Sequence, residues 1–447
     1  MKRLFLLDSG LPRNDNFEGF RTSLLHHDGF SYSMSATMSL SAHDYIFFAD
    51  DRSGIPTSTM HIADQIARTN RVFWVNIYTR LPKLSEFTKA FHILTRREAK
   101  PAIHRQTACA AIVSATPIQF PWFGLPARKF NGYFARRFFQ RLVKQYDMQN
   151  PVLVTNFPCA IDAFRTIRKW MPQVPQIYYC VDDYVEYPGL NPQHWKAMEH
   201  DIFMVVDGVM FTSRDLQQKK KRPESLPCLY LPHGVDYEHF ACENIEKTPI
   251  ESLEKIKKPI IGFFGTIDTW VDISAIAYLA KRFPQCSFVI IGHSVVPLTI
   301  WEGLKNVHFL GQLPYSELPR YARYFDAGLI PFVMNDLTKA VNPLKLMEYF
   351  GIGIPVISTR LPDIEDVPGP LYFADTHEEF GERLDEILRL DPLQLRHQAQ
   401  EVARQNSWSA RAESFERFVE RCKGQPLEPQ RNGSRTCGMS HSERTVP

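Results

Sequence analysis

The chain has 447 residues, a length whose prior is two to three domains. Apolar residues make up 44% and charged residues 23%, with 32 Phe and 7 Trp, which excludes disorder for most of the chain. Lys and Arg number 52 and Asp and Glu 49, and the net charge of +3 argues against a global nucleic-acid binder and against an acidic disordered chain.

At the N-terminus, Leu4 to Leu7 is apolar but Asp8 ends the run, too soon for the core of a signal segment. No stretch approaches the roughly 18 consecutive apolar residues of a membrane span, so a cytoplasmic protein is expected. Residues 1–42 have no clear period and a Ser/Met-rich stretch from Ser31 to Ser41, and read as an extension outside the fold and disordered. The eight cysteines (Cys109, Cys159, Cys180, Cys228, Cys242, Cys286, Cys422 and Cys437) lie 14 or more residues apart. That spacing leaves no CxxC pair for zinc and suits small buried hydrophobes in a reducing compartment.

From Tyr45 onward short apolar strands alternate with helices. Predicted strands are Tyr45–Ala49, Val72–Val75, Pro151–Thr155, Gln176–Cys180, Val209–Thr212 and Cys228–Leu231, with helices capped by Ser58 or Thr59 and around 131–146, 159–170, 191–204 and 213–221. A polar stretch over 241–258 reads as a hinge. The rhythm restarts with strands at Ile260–Phe264, Ser287–Ile291, Val307–Leu310, Ala327–Pro331, Ile354–Ser358 and Leu371–Phe373 and a helix over 271–283. The pattern predicts an α/β chain of two doubly wound, Rossmann-like domains, 43–240 and 259–405, facing a cleft. Residues 423–447 are polar and read as a disordered tail.

Several side chains stand out in chain order. Asp50, Asp51 and Gly54 occupy the turn after the first strand and either line an acceptor side or form an ordinary Asp/Gly turn. Residues 128–144 hold Arg128, Lys129, Arg136, Arg137, Arg141 and Lys144 and no acid, with Phe130, Phe134, Phe138 and Leu142 on the other side. Upstream lie Trp122 and Phe123. A basic amphipathic helix beside such aromatics fits an anionic membrane surface; the alternative is a helix with an apolar core side and a solvated basic one. Lys219-Lys220-Lys221-Arg222 reads as an exposed helix end.

Asp182 follows the strand Gln176–Cys180, at a carboxyl end that faces the cleft. Beside Asp183 and partly desolvated, it would have a raised pKa and could take a proton from an acceptor hydroxyl. Otherwise one of the pair caps the turn. His233 ends a strand near the hinge and either touches donor phosphates or is structural. Trp270 either stacks on a ring or packs, and Tyr315 reads as structural. In the stretch Asn342-Pro343-Leu344-Lys345-Leu346-Met347-Glu348, Asn342 reads as an N-cap and Pro343 as the first helical residue. Lys345 falls in the first turn, where the helix dipole disfavours a cation unless an anion sits there. Glu348 is one turn on and could accept from the two hydroxyls of a ribose, or the two could form a surface i, i+3 pair.

These motifs resemble the GT-B glycosyltransferases of the broad family 4 type. The resemblance rests on the 342–357 helix with its Gly353-Ile354-Pro355-Val356 strand, on Leu231-Pro232-His233-Gly234-Val235-Asp236, on Pro259–Thr266, and on Asn406-Ser407-Trp408-Ser409-Ala410-Arg411 opening a helix over 406–422 that crosses back to the first domain. Closer still, the pattern is similar to xanthan-type glucuronosyltransferases and teichuronic-acid-type transferases. The resemblance implies a nucleotide-diphosphate sugar donor, a UDP sugar first of all, bound by Lys345, Glu348, Asn342, Pro343, Gly265, Thr266 and His233. It implies Asp182 as base and a lipid-linked saccharide acceptor at the inner membrane face, in exopolysaccharide or cell-surface polysaccharide synthesis. It implies neither a cofactor nor an obligatory metal, and no nucleic acid. Two positions depart from the family: Ala340 stands where a donor-contacting acid is usual, and no Arg or Lys follows Gly265. Those departures would suit an inactive scaffold or regulator of a polysaccharide assembly complex; a sugar-nucleotide epimerase of the same fold is the other competing reading.

Overall fold

A computed structural model describes residues 43–52, 56–77, 102–107, 110–115, 125–187, 190–241 and 248–423. The predicted extension 1–42, the tail beyond 423, Gly54, Trp122, Phe123, Cys109, Cys242 and Cys437 lie outside the described residues.

The first domain is built on strands β1 (Asp44–Ala49), β2 (Arg71–Asn76), β3 (Ala102–Thr107), β4 (Ala110–Ala115), β5 (Pro151–Thr155), β6 (Gln176–Cys180), β7 (Gly208–Phe211) and β8 (Cys228–Tyr230). They form one sheet in the order β3-β4-β2-β1-β5-β6-β7-β8. Every pairing is parallel except β3 with β4. Helices α1 (Ser58–Ile66), α2 (Leu125–Gln145), α3 (Ile161–Trp170), α4 (Pro192–Phe203) and α5 (Arg214–Lys219) connect the strands. Because both faces are covered, β1 is apolar from Tyr45 to Ala49 and splits its side chains between two cores. Ile46 and Phe48 join one with Phe139, Phe164 and Ile202, and Tyr45 and Phe47 join the other with Trp74 and Phe415.

The second domain carries β9 (Ile260–Phe264), β10 (Ser287–Ile291), β11 (Val307–Gly311), β12 (Ala327–Ile330), β13 (Val356–Ser358) and β14 (Leu371–Phe373), all parallel, in the order β11-β10-β9-β12-β13-β14. Its helices include α6 (Ile273–Arg282), α7 (Leu344–Ile352), α8 (His377–Ile387) and α9 (Pro392–Gln405). Helix α10 (Trp408–Cys422) then returns to the first domain, where Trp408, Phe415, Phe418 and Val419 fill the core on the α1 side of the sheet. Among the described residues no helix is long and apolar enough to cross a membrane.

Three details differ from the sequence reading. The β3–β4 hairpin at the sheet edge was missed, since Ala102-Ile103-His104-Arg105-Gln106-Thr107 has no apolar period to mark it. On α2, Phe130 is exposed rather than part of the apolar side, which Phe139 and Leu142 carry. The six cations of that stretch are not all uncompensated: Arg128 pairs with Asp162 at 2.9 Å and Asp201 at 3.3 Å, acids supplied by α3 and α4. Arg136, Arg137 and Arg141 remain exposed on the outer face.

Candidate active site

The donor side is built on α7. Tyr349 anchors the helix under β9: its buried hydroxyl accepts from the Phe264 amide at 3.2 Å, and its ring lies 4.5 Å from that of Phe264. With Leu346, Met347, Tyr349 and Phe350 buried, Lys345 and Glu348 are left on the half-buried stripe facing the turn after β9. Gly265 holds that turn at φ 132°. A Cβ there would stand 2.2 Å from Lys345 Cε and 2.7 Å from Nζ, so the lysine lies directly against the glycine. The neighbouring Gly292 in turn admits the Gly265 carbonyl, which a Cβ at 292 would meet at 1.9 Å. Thr266 is half-buried beside this cradle.

The Lys345 ammonium lies over the rings of Phe332 at 5.5 Å and Phe263 at 5.8 Å. It makes no ion pair with a carboxylate among the described residues. Desolvation lowers its pKa and pushes that of Glu348 up to about 7, each partly offset by the other's charge. Such a pair favours a ligand that brings an anion to the lysine and hydrogen-bond donors to the carboxylate.

Asn342 and Pro343 are not the cap and first residue expected. Pro343 is extended at φ −75°, ψ 114° and precedes the helix without a side-chain cap. Asn342 is drawn away by two partners: its Oδ1 accepts from the His233 amide at 3.3 Å and its Nδ2 donates to Asp363. Asp363, buried by the chain after β13, also accepts from the Arg214 amide at 2.7 Å and from the Tyr230 hydroxyl at 3.1 Å, both in the first domain. Asn342 therefore belongs to a link between the domains. His233 is buried, with Nδ1 2.8 Å from Ser58 Oγ, and burial pushes its pKa down to about 3, so its ring is held neutral. Ala340 is buried in the first domain's core, so the methyl standing where an acid is usual makes packing contacts.

On the first-domain side, the carboxyl ends of β1, β5 and β6 lie next to one another. Asp182 follows β6 and is half-buried. Burial, then the neighbouring Asp183, pushes its carboxyl up to about 7, and a hydrogen bond from Tyr187 partly opposes them. Tyr184 stacks close by, its ring 5.1 Å from Phe157 and 5.2 Å from Trp195. Asp51 is exposed after β1, whereas burial raises the pKa of Asp50.

Asp183, expected on the acceptor side, turns inward. It is 2% exposed and takes Lys220 at 2.6 Å and Lys219 at 2.9 Å, and these outweigh burial to hold its carboxyl below the usual range. Lys220, read from sequence as part of an exposed helix end, is 7% exposed and also bonds Glu199 at 2.7 Å. Only its place after the six-residue α5, which turns it under β6, distinguishes it from its neighbours in the run. Tyr315, read as merely structural, spans the domains instead: it stacks on His239 at 4.9 Å and meets His61 of α1 at 5.8 Å, with Glu348 near its phenol. Trp270 packs against the second domain's core.

Residues 258–389 match the family model described as Glycosyl transferases group 1. They form a group 1 glycosyl transferase domain. A Bacillus subtilis protein named as a teichuronic acid biosynthesis glycosyltransferase, TuaH, is 30% identical over 146 residues, which are 32% of this chain and 36% of that protein. The match thus spans about a third of the length of that relative. Two solved structures resemble nearly the whole molecule in fold. Anabaena HepE in complex with UDP and glucose superposes with a TM-score of 0.57 at 14% identity, covering 84% of this chain and 99% of that one. Sucrose-phosphate synthase from Thermosynechococcus elongatus superposes with a TM-score of 0.58 at 14% identity, covering 85% and 98%. The chain has the GT-B fold, and within it the group 1 domain supplies the Gly265–Lys345–Glu348 cradle.

Proposed function

We propose that this GT-B protein transfers a sugar from a nucleotide-diphosphate sugar to a hydroxyl of an acceptor. The observation that carries the reading is the Lys345–Glu348 pair laid against Gly265 in the group 1 domain. Lys345 would hold the diphosphate and Glu348 the ribose. UDP is the favoured nucleotide, supported by the UDP held in the structurally similar Anabaena protein. The donor is a substrate, and this reading needs neither a cofactor nor an obligatory metal.

In the reaction, Asp182 accepts the proton of the acceptor hydroxyl as that oxygen attacks the anomeric carbon. The bond from that carbon to the phosphate oxygen breaks, and the electron pair leaves with the diphosphate, whose charge Lys345 stabilises. A single displacement of this kind inverts the anomeric centre. The acceptor in this reading is a lipid-linked saccharide of exopolysaccharide or cell-surface polysaccharide synthesis, supported by the teichuronic acid relative over a third of its length. The exposed Arg136, Arg137 and Arg141 on α2, beside the exposed Phe130 and Tyr133, support a peripheral contact with an anionic inner membrane face.

The test is a donor screen of the full chain against membrane extracts, with UDP binding followed by calorimetry. Asp182→Asn should bind UDP as the wild type does and lose about 10²–10⁴-fold in turnover. Full turnover in that variant removes Asp182 as the base, and failure of the wild type to bind any nucleoside diphosphate removes the transferase reading.

A further inference from the structure

Asp182 and Asp183 are adjacent, yet burial raises the carboxyl of the first while Lys220 and Lys219 hold that of the second down, and Lys220 belongs to a closed ring of contacts beneath the end of β6. Cys180 Sγ and the Tyr178 hydroxyl both reach Glu199 Oε1, at 3.9 and 3.1 Å. Glu199 Oε2 bonds Lys220 at 2.7 Å, and Lys220 bonds Asp183 at 2.6 Å. The backbone from Cys180 to Asp183 completes the ring, and Asp182 is a member of that backbone segment. Its direction is further set by the Thr212 hydroxyl, which donates to the Val181 carbonyl at 2.8 Å.

Asp183 and Glu199 bring two negatives to this assembly, Lys219 and Lys220 bring two positives, and the exposed Glu186 adds a third carboxylate 3.4 Å from Lys219. Asp183, Glu199 and Lys220 are all more than nine-tenths buried, and removing a buried ion from water costs several kcal/mol unless a partner offsets it. Asp182 has no share in these pairs. It is faced by Asp183, Tyr184 and Tyr187 in its own loop, by Tyr179 on β6 and, through Tyr184, by Asp50 at the end of β1.

We propose that Lys220 and Glu199 are positioning residues for Asp182, fixing the strand end that carries it and setting the balance of charge beside it. The inference rests on the reading of Asp182 as the base for its meaning in catalysis, but its geometry can be tested without turnover. Lys220 never touches the reacting atoms; it acts on Asp182 through Asp183, and Glu199 acts through Lys220.

The experiment is a pH titration of the Asp182 carboxyl carbon by NMR in the full chain, its signal assigned by loss in Asp182→Asn. Three variants are compared with the wild type. Lys220→Met strips Asp183 of a cation and moves the Asp182 midpoint up. Glu199→Gln leaves Lys220 a surplus positive charge and moves it down, and Asp183→Asn removes the adjacent negative charge and also moves it down. Each shift is about half a unit or more. Unchanged UDP affinity shows that the folded donor side is intact. If Lys220→Met does not fold, the other two variants decide alone. Midpoints that stay at the wild-type value, or that shift upward in Glu199→Gln or Asp183→Asn, overturn the proposal and leave the ring a purely structural ion cluster. The turnover of Asp182→Asn is read separately: midpoints that move as stated together with full turnover keep the positioning and reject the base.

Discussion

Lys220 in the first domain and Lys345 in the second are both lysines withdrawn from water, but their surroundings oppose each other. Lys220 is held between two buried carboxylates, which raise its pKa despite burial. Lys345 lies against a glycine and between aromatic rings, and desolvation lowers its pKa even with Glu348 one turn away. The first lysine completes a set of charges that the fold itself supplies. The second has no ion-pair partner among the described residues, and in the proposed reading a ligand's anion takes that place. Burial alone says little about a charged side chain's role; whether its charge is matched within the chain says far more.

The same substitution made at both positions breaks or sharpens this contrast. Lys220→Met leaves Asp183 and Glu199 short of a partner and should cost about 3–5 kcal/mol of unfolding free energy, measured in denaturant. A loss below about 1 kcal/mol would mean that the ring is not coupled. Lys345→Met should leave the free protein as stable as the wild type or more so, while UDP binds about 10–100-fold more weakly by calorimetry. Lower stability with unchanged affinity at that position would reverse the roles assigned to the two lysines.

Asp182 extends the contrast to a carboxylate. Its folded pKa of about 7 exceeds that of an unfolded aspartate near 4, so the folded state retains a proton through that interval and loses stability as pH rises through it. Asp182→Asn should therefore raise the melting temperature at pH 8 by a few degrees, a gain that fades toward pH 4. An equal shift at both pH values would place the effect in packing instead of charge. The smallest effect is expected of a cation that is simply exposed. Arg141→Gln should weaken partitioning onto vesicles of anionic lipid about fivefold at low salt, the worth of about one surface charge, and leave UDP binding alone. Unaltered partitioning would count against α2 as the membrane-facing element.

How far each of these sites could be read from sequence follows from how local it is. The strands of both sheets announce themselves as short apolar runs between turn residues, and Pro151–Thr155, Gln176–Cys180, Ile260–Phe264, Ser287–Ile291 and Leu371–Phe373 have the bounds expected of them. Lys345 and Glu348 share one face because helix periodicity puts them there, so a single stretch of chain carries that part of the site. Asn342 went astray because a cap motif is local whereas its partners, His233 and Asp363, are not. The Lys220 ring was hidden for the same reason: Glu199 comes from α4, Asp183 from the loop after β6, and nothing in Lys219-Lys220-Lys221-Arg222 distinguishes the buried lysine from its exposed neighbours. The β3–β4 hairpin escaped because an edge strand of mixed polarity has no period to detect.

The path of α10 also bears on how the chain is made. Trp408, Phe415, Phe418 and Val419 belong to the core of a sheet whose eight strands are all complete by Tyr230. During synthesis that sheet must therefore wait, one apolar face open, while the entire second domain emerges and folds. Emergence of residues 408–422, rather than completion of the first domain's own strands, is the event that lets the N-terminal half close. A chain truncated before residue 408 would carry the whole second domain beside an unsealed first one, a species that chaperones should bind and proteases should cut in its N-terminal half.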